Sequence, residues 1–108
     1  MNRKYSPQIW RSTYLQLKSD ALEDLRKFVA SKDTPQLEQT ATEIALLCND
    51  AIAQLSLVES EQKAEIPRKI AIKIHALISL LTDEETAKHF KEFEAAVDAH
   101  ADELNDNS

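Results

Sequence analysis

The sequence predicts an all-α protein that folds as a single-domain four-helix bundle, with neighbouring helices antiparallel in an up-down arrangement. Apolar residues recur every three or four positions in four successive segments, which is the spacing of the buried face of an amphipathic helix. No segment has the sustained alternation of apolar and polar residues that marks a half-buried strand. The polar connections between the segments are short, and short connections join antiparallel neighbours in a bundle.

The chain length sets the scale of this bundle. A chain of 108 residues is expected to bury roughly 65% of its unfolded surface. One domain spanning residues 1–108 can therefore fold without a disulfide or a structural metal. Within it, we expect residues 1–5 to form a short basic arm and residues 105–108 to form a frayed tail.

The first helix is expected over residues 7–30, because Ser6 followed by Pro7 is typical of an N-cap and a first helical position. Its predicted buried stripe consists of Trp10, Tyr14, Leu17, Ala21, Leu25 and Phe28. A second apolar stripe recurs every seven residues, at Leu15, Leu22 and Val29. Arg11 and Lys18 fall between the stripes, where their stems can cover the core while their charges reach water, or reach carboxylates on another helix or another chain.

The second helix is expected over residues 35–58, since Thr34 and Pro35 repeat the pattern of a cap followed by proline. Its predicted core residues share one face of the helix: Leu37, Ala41, Ile44, Cys48, Ala51, Ile52 and Leu55. A weaker apolar strip lies nearly opposite, at Leu46, Ala53 and Leu57. The second helix therefore has more apolar surface than one core requires.

The third helix is expected over residues 67–81, because Pro67 disfavours a helical conformation at Ile66. One face carries the apolar side chains at the predicted centre of the core: Ile70, Ile74, Leu77, Ile78 and Leu81. Ile72 and Leu80 lie on the opposite side of this helix. A helix that is apolar on two sides is either central in its fold or covered by a partner.

The fourth helix is expected over residues 83–104. Thr82 and Glu85 have the spacing of a capping box, in which the side chain of each residue accepts a hydrogen bond from the backbone N–H of the other. The side chains predicted to be buried recur along one face: Phe90, Phe93, Val97, Ala101 and Leu104.

The surplus apolar strips predict a non-enzymatic protein-binding helical module. They cannot all face one core, so we expect a partner to cover them. That partner is either a second copy in a homodimer or a larger protein assembly, on which the chain docks as a small regulator, inhibitor or adaptor. The predicted partner-binding residues are Arg11, Leu15, Lys18, Leu22, Leu46, Leu57, Ile72 and Leu80.

The charge distribution raises an alternative function, nucleic-acid association through residues 1–14. The net charge of −6 argues against such binding by the whole surface, yet residues 1–32 sum to +4, against −6 for 33–67 and −4 for 68–108. Cations bind phosphates and aromatic rings stack on bases, and the N-terminal segment alternates both: Arg3, Lys4, Tyr5, Trp10, Arg11 and Tyr14. Trp10 and Tyr14 also belong to the predicted core, so protein binding ranks first.

No enzymatic site, cofactor or metal is predicted. The chain has no glycine, whereas phosphate-binding loops, dinucleotide turns and nucleophile elbows depend on glycine. His89 and His100 share a helix flank but are separated by about 16 Å of helix rise, too far to bind one ion. We expect both in surface ion pairs, His89 with Glu85 and His100 with Glu103.

A cytoplasmic location without membrane insertion is expected. The single cysteine, Cys48, cannot form an internal disulfide, so nothing indicates an oxidising compartment. The basic N-terminus is not followed by the apolar stretch of a signal peptide. The longest apolar segment, residues 66–81, contains four basic residues and is too polar to span a bilayer.

Overall fold

The computed structural model describes the backbone of residues 7–27 and 34–106, and the side chains of residues 8–23 and 35–105. It contains four long helices: α1 (Pro7–Lys27), α2 (Thr34–Gln54), α3 (Glu65–Leu80) and α4 (Glu84–Asp106). The predicted all-α four-helix fold is confirmed. The basic arm at 1–5, the end of the first helix at 28–30, residues 107–108 of the tail, and the side chains of Leu25, Phe28 and Val29 lie outside the described residues.

The four helices form a closed ring of neighbours. α1 packs against α2 and α4, and α3 packs against the same two helices. Tyr14, in the first half of α1, contacts His100 near the end of α4. Asp20, farther along α1, contacts His89 near the start of α4, so these two helices run antiparallel. The side-chain contacts of Arg68 with Asp102 and of His75 with Glu94, between α3 and α4, follow the same reversed order, as an up-down bundle requires.

The core consists of the faces that the helical spacing predicts. The buried residues among those predicted are Trp10, Tyr14, Leu17, Ala21, Leu37, Ala41, Ile44, Cys48, Ala51, Leu55, Ile70, Ile74, Leu77, Leu81, Phe90, Val97, Ala101 and Leu104. Ile52, Ile78 and Phe93 are partly buried and pack against this cluster. Each helix thus buries one stripe, as an amphipathic helix in a bundle must.

The predicted end of the second helix, at residue 58, is wrong. α2 ends at Gln54, and three tight turns follow, in which the N–H of residues 55–57 bonds the carbonyl three residues earlier. The amide side chain of Gln54 holds the loop by bonding both the N–H and the carbonyl of Lys63, at 2.8 and 3.1 Å. Leu57 therefore lies in the connection, followed by a single 3-10 turn at Glu59–Glu61.

The third helix begins two residues earlier than predicted, at Glu65. Pro67 is buried within its first turn. The first N–H groups of a helix have no intrahelical acceptor, so proline removes no hydrogen bond there. The first turn is joined to the preceding loop by hydrogen bonds from Ile66 N–H to the Lys63 carbonyl and from Arg68 N–H to the Ala64 carbonyl.

The side-chain cap of the fourth helix is Asp83, one residue after the predicted cap Thr82. Asp83 Oδ2 accepts hydrogen bonds from the backbone N–H of Thr86, at 2.9 Å, and from the Thr86 hydroxyl. These hydrogen bonds from Thr86 lower the pKa of the Asp83 carboxyl below its ordinary value. A carboxylate at this place also interacts favourably with the positive end of the helix dipole.

Candidate protein-binding surface

Most of the predicted partner-binding side chains lie on the surface of the bundle. Leu46 and Ile72 are the most exposed of the apolar ones, at 61% and 68%. Leu15, Leu22 and Leu57 are also exposed. Leu80, in contrast, is partly buried and packs against the core cluster, so it does not contribute an exposed apolar surface with Ile72.

Leu46 and Ile72 line the same surface groove, between α2 and α3. Each lies on the side of its helix opposite the core stripe, and the antiparallel packing of α2 against α3 brings the two side chains to one depression. The depression has a volume of about 350 Å³. We call it the α2–α3 groove; its lining residues are Glu43, Leu46, Leu47, Lys69, Ile72 and Lys73.

The groove combines an apolar lining with a charged rim. Lys73 Nζ bonds Glu43 Oε1 across the groove at 3.0 Å, which joins α3 to α2. Lys69 Nζ lies 3.7 Å from Glu65 Oε2, one helical turn away on α3. All four of these side chains are at least a third exposed, so their charges are available to a partner and contribute little to folding.

A second groove lies on the other side of Ile72, between α3 and α4. It has a volume of about 310 Å³, and its lining is more polar than that of the first groove: Arg68, Ala71, Ile72, His75, Glu94 and Asp98. Arg68 forms ion pairs with Asp102 at 2.6 Å and Asp98 at 3.2 Å. Hydrogen bonds to Asp102 and Asp98 raise the pKa of the Arg68 guanidinium. Ile72 is therefore a ridge between an apolar groove and a charged groove.

The predicted residues of α1 do not line either groove. Arg11 is exposed. Lys18 is partly buried and donates a hydrogen bond from Nζ to Asn49 Oδ1 on α2, at 2.9 Å. The Lys18 stem is thus partly covered while its ammonium group makes an exposed contact with an amide oxygen, and no carboxylate is its hydrogen-bond acceptor there. This hydrogen bond joins α1 to α2 within the chain.

His100 is buried, and its predicted place in a surface ion pair is wrong. Its ring stacks on Trp10 with centroids 4.4 Å apart, and its Nδ1 lies 2.6 Å from the Tyr14 hydroxyl. Burial lowers the pKa of His100 to about 4, and burial also raises the pKa of Tyr14. Both groups are neutral at pH 7, so this pair is a buried hydrogen bond between α1 and α4. A sequence signal for it existed, because His100 follows Phe93 by seven residues on the core face.

His89 contacts α1 instead of the predicted Glu85 on its own helix. Its Nε2 lies 2.7 Å from Asp20 Oδ2, and the ring meets Phe90 and Phe93 edge-on. The partly exposed imidazole therefore joins α4 to a carboxylate of α1, and its ring packs on aromatic side chains of its own helix.

In the part of the chain that the structure describes, Cys48 is a buried thiol and the carboxylates do not cluster with it or with histidine as metal ligands would. Cys48 is fully buried, and burial raises the pKa of its thiol to about 12, so the reactive thiolate is disfavoured. The described histidine, cysteine and carboxylate side chains include no group of three placed to hold a metal ion. Every helix in this part is also too short or too polar to cross a membrane.

Comparisons with protein-family models, with curated proteins and with solved structures find no match for this chain.

Proposed function

We propose that the protein is a non-enzymatic protein-binding helical module that acts through the α2–α3 groove. The observation that carries this proposal is the position of Leu46 and Ile72, which are both more than half exposed and line one groove. Transfer of a Leu or Ile side chain from water to an apolar environment contributes about 1.5–3 kcal/mol. A partner that covers both side chains gains that free energy, whereas the isolated chain does not.

The shape and chemistry of the groove support a helical partner. A depression between two antiparallel helices, apolar at its centre and charged at its rim, suits the apolar face of another helix. Leu46, Leu47 and Ile72 would contact that face. Lys69, Lys73 and Glu43 would fix its orientation, because rim charges govern specificity and association rate more than affinity.

This function includes the roles expected for a small cytoplasmic protein of this kind: a homodimer, or a regulator, inhibitor or adaptor bound to a larger assembly. The nucleic-acid alternative has less support. Trp10 and Tyr14, two of its three aromatic rings, are 4% and 0% exposed, so they cannot stack on bases in the folded chain. Arg3, Lys4 and Tyr5 lie outside the described residues.

The test compares two isoleucine-to-glutamate variants. Ile72→Glu places a charge in the groove, and Ile9→Glu places the same charge at another exposed helical site, 48% exposed on α1. Tagged chains are used to retain proteins from a lysate of the native cell, and self-association is measured by light scattering. We expect Ile9→Glu to behave as wild type. Ile72→Glu should weaken the affinity for each partner by about tenfold or more, because the burial of one apolar side chain contributes this much binding free energy. If Ile72→Glu retains them all, the groove is not the binding surface.

A further inference from the structure

We propose that the α2–α3 groove binds the α2–α3 face of a second copy of this chain, related to the first by a two-fold axis parallel to the helices. This inference rests on the proposed function and adds the identity and orientation of the partner. It is carried by the charges of the two helices, by the height of their residues along the bundle, and by the exposed apolar pair between them.

The two helices that border the groove have opposite charge. α2 contains three acidic residues and no lysine or arginine: Glu38, Glu43 and Asp50. α3 contains three cations and one acidic residue: Arg68, Lys69, Lys73 and Glu65. A surface with one acidic and one basic helix is complementary to itself if the two copies meet with α2 opposite α3.

The direction of the two-fold axis decides which helices meet. An axis parallel to the helices places α2 of one copy opposite α3 of the other, acid against base. An axis across the helices, in the plane of the interface, places α2 opposite α2 and α3 opposite α3. That second arrangement opposes like charges on both helices and is disfavoured.

An axis parallel to the helices also preserves the height of each residue along the bundle. Glu43 and Lys73 lie at one height, because they form an ion pair within the chain. Glu43 of one copy therefore faces the partner's Lys73, and the partner's Glu43 faces Lys73. The ion pair within each chain can be shared with or exchanged for a pair between chains.

The exposed apolar side chains lie close to this height. Leu46 is three residues beyond Glu43 on α2, and Ile72 is one residue before Lys73 on the antiparallel α3. At a rise of about 1.5 Å per residue, the two differ in height by only about 3 Å. Leu46 of one copy thus contacts the partner's Ile72, and by symmetry Ile72 contacts the partner's Leu46. The two most exposed apolar side chains of the predicted partner-binding set cover each other.

One more charge pair follows from the same heights. Asp50 lies seven residues beyond Glu43, and Lys69 lies four residues before Lys73. Their heights differ by about 4.5 Å, a distance that a lysine side chain spans. Both side chains are exposed. Asp50 of one copy therefore faces the partner's Lys69, which makes this pair suitable for a charge exchange that does not disturb the core.

The test uses Asp50→Lys and Lys69→Glu in separate full-length chains. In its own dimer, Asp50→Lys places a lysine opposite the partner's Lys69, and Lys69→Glu places a glutamate opposite the partner's Asp50. Each variant alone should therefore associate about tenfold more weakly or worse. A one-to-one mixture restores an attractive pair at both symmetric contacts. We expect light scattering over a dilution series to show the dimer, twice the chain mass of 12.2 kDa, at similar concentrations for wild type and for the mixture, and only at about tenfold higher concentrations or more for each variant alone.

The matched control exchanges charges on α4, where Lys88 and Glu92 are both exposed. Lys88→Glu and Glu92→Lys, alone or mixed, should leave the mass of the wild-type dimer unchanged. Circular dichroism checks that all four variants keep the helical fold.

Three results would overturn the inference. A wild-type chain that remains a monomer at the highest attainable concentration excludes the second copy. Variants that dimerise alone as tightly as wild type, or a mixture that dimerises no more tightly than the variants alone, exclude the opposed α2 and α3 arrangement. The proposed function is tested separately, by the comparison of Ile72→Glu with Ile9→Glu. If wild type is a monomer but retains other proteins through Ile72, the groove is still a protein-binding surface, and only the second copy is excluded as its partner.

Discussion

The α1–α4 side of the bundle is closed by buried rings, whereas the α2–α3 side leaves two of its largest aliphatic side chains in water. On the first side, the backbones of α1 and α4 approach closely over a short stretch only. Trp10, Tyr14 and His100 fill the space between them. On the second side, Leu46 and Ile72 border an open groove.

This difference separates stability from association. The rings between α1 and α4 are buried and contact one another by stacking and by the hydrogen bond between Tyr14 and His100, so they stabilise the folded chain. Leu46 and Ile72 gain little from folding because most of their surface stays in water. Substitutions on the first side should therefore change the free energy of unfolding, and substitutions on the second side should change binding.

The largest effect is expected for Trp10→Ala. It removes a side chain that is 4% exposed and stacked on His100, which should lower the free energy of unfolding by about 3–5 kcal/mol. Urea denaturation followed by circular dichroism measures it. Ile72→Ala is the corresponding truncation in the groove and, at a protein concentration where the chain is monomeric, should change stability by no more than about 0.5 kcal/mol. Equal losses in the two variants would contradict the separation of the two sides.

Acid should weaken the α1–α4 side through His100. Its pKa is about 4 in the folded chain, against an ordinary value of 6.5, so between these pH values the unfolded chain binds more protons. The contribution of the neutral imidazole is fully present above pH 6.5 and is lost as the pH falls to 4, about 3 kcal/mol in all. Unfolding free energies of wild type and His100→Gln, measured from pH 7 to pH 4, should show a difference that changes by this amount. A constant difference would show that the histidine does not titrate in this way.

The hydrogen bond between Tyr14 and His100 gives a smaller effect. Tyr14→Phe keeps the ring but removes the hydroxyl that lies 2.6 Å from His100 Nδ1. Because the imidazole nitrogen is then buried without this partner, the loss should be about 1–3 kcal/mol. A double-mutant cycle with His100→Phe measures the coupling, and the cost of Tyr14→Phe should fall in that background. Strict additivity of the two substitutions would mean that the bond contributes nothing.

The smallest effect on stability is expected for Ile72→Glu. Ile72 is 68% exposed, and glutamate is a good helix former, so the free energy of unfolding at a concentration where the chain is monomeric should change by about 0.5 kcal/mol or less. Urea denaturation at low protein concentration measures it. A loss comparable to that of Trp10→Ala would place Ile72 in the folding core instead of the binding surface.

The core could be predicted from the sequence because each helix buries one stripe and the stripes recur with the helical period. His100 was missed for a physical reason. The pattern counts histidine as polar, and the residue that makes its burial favourable, Tyr14, lies 86 residues away in sequence. The helix ends were missed for related reasons: Gln54 ends α2 through a contact with Lys63, and Thr82 and Asp83 are both good caps by residue type.

The binding surface could be predicted only in part. The helical spacing places Leu46 and Ile72 away from the buried faces of α2 and α3, and both side chains are exposed. The rotation and register of α2 against α3 are not encoded in either helix alone. The sequence could therefore not establish that these two side chains share one groove while Leu80 packs against the core.

The most direct test of the proposed contact between two α2–α3 grooves is the mass of wild type and Ile72→Glu by light scattering after size exclusion. Wild type should give twice the chain mass of 12.2 kDa, with a dimer fraction that rises with concentration, and Ile72→Glu should give the single-chain mass. Equal masses for the two proteins at every concentration would contradict it.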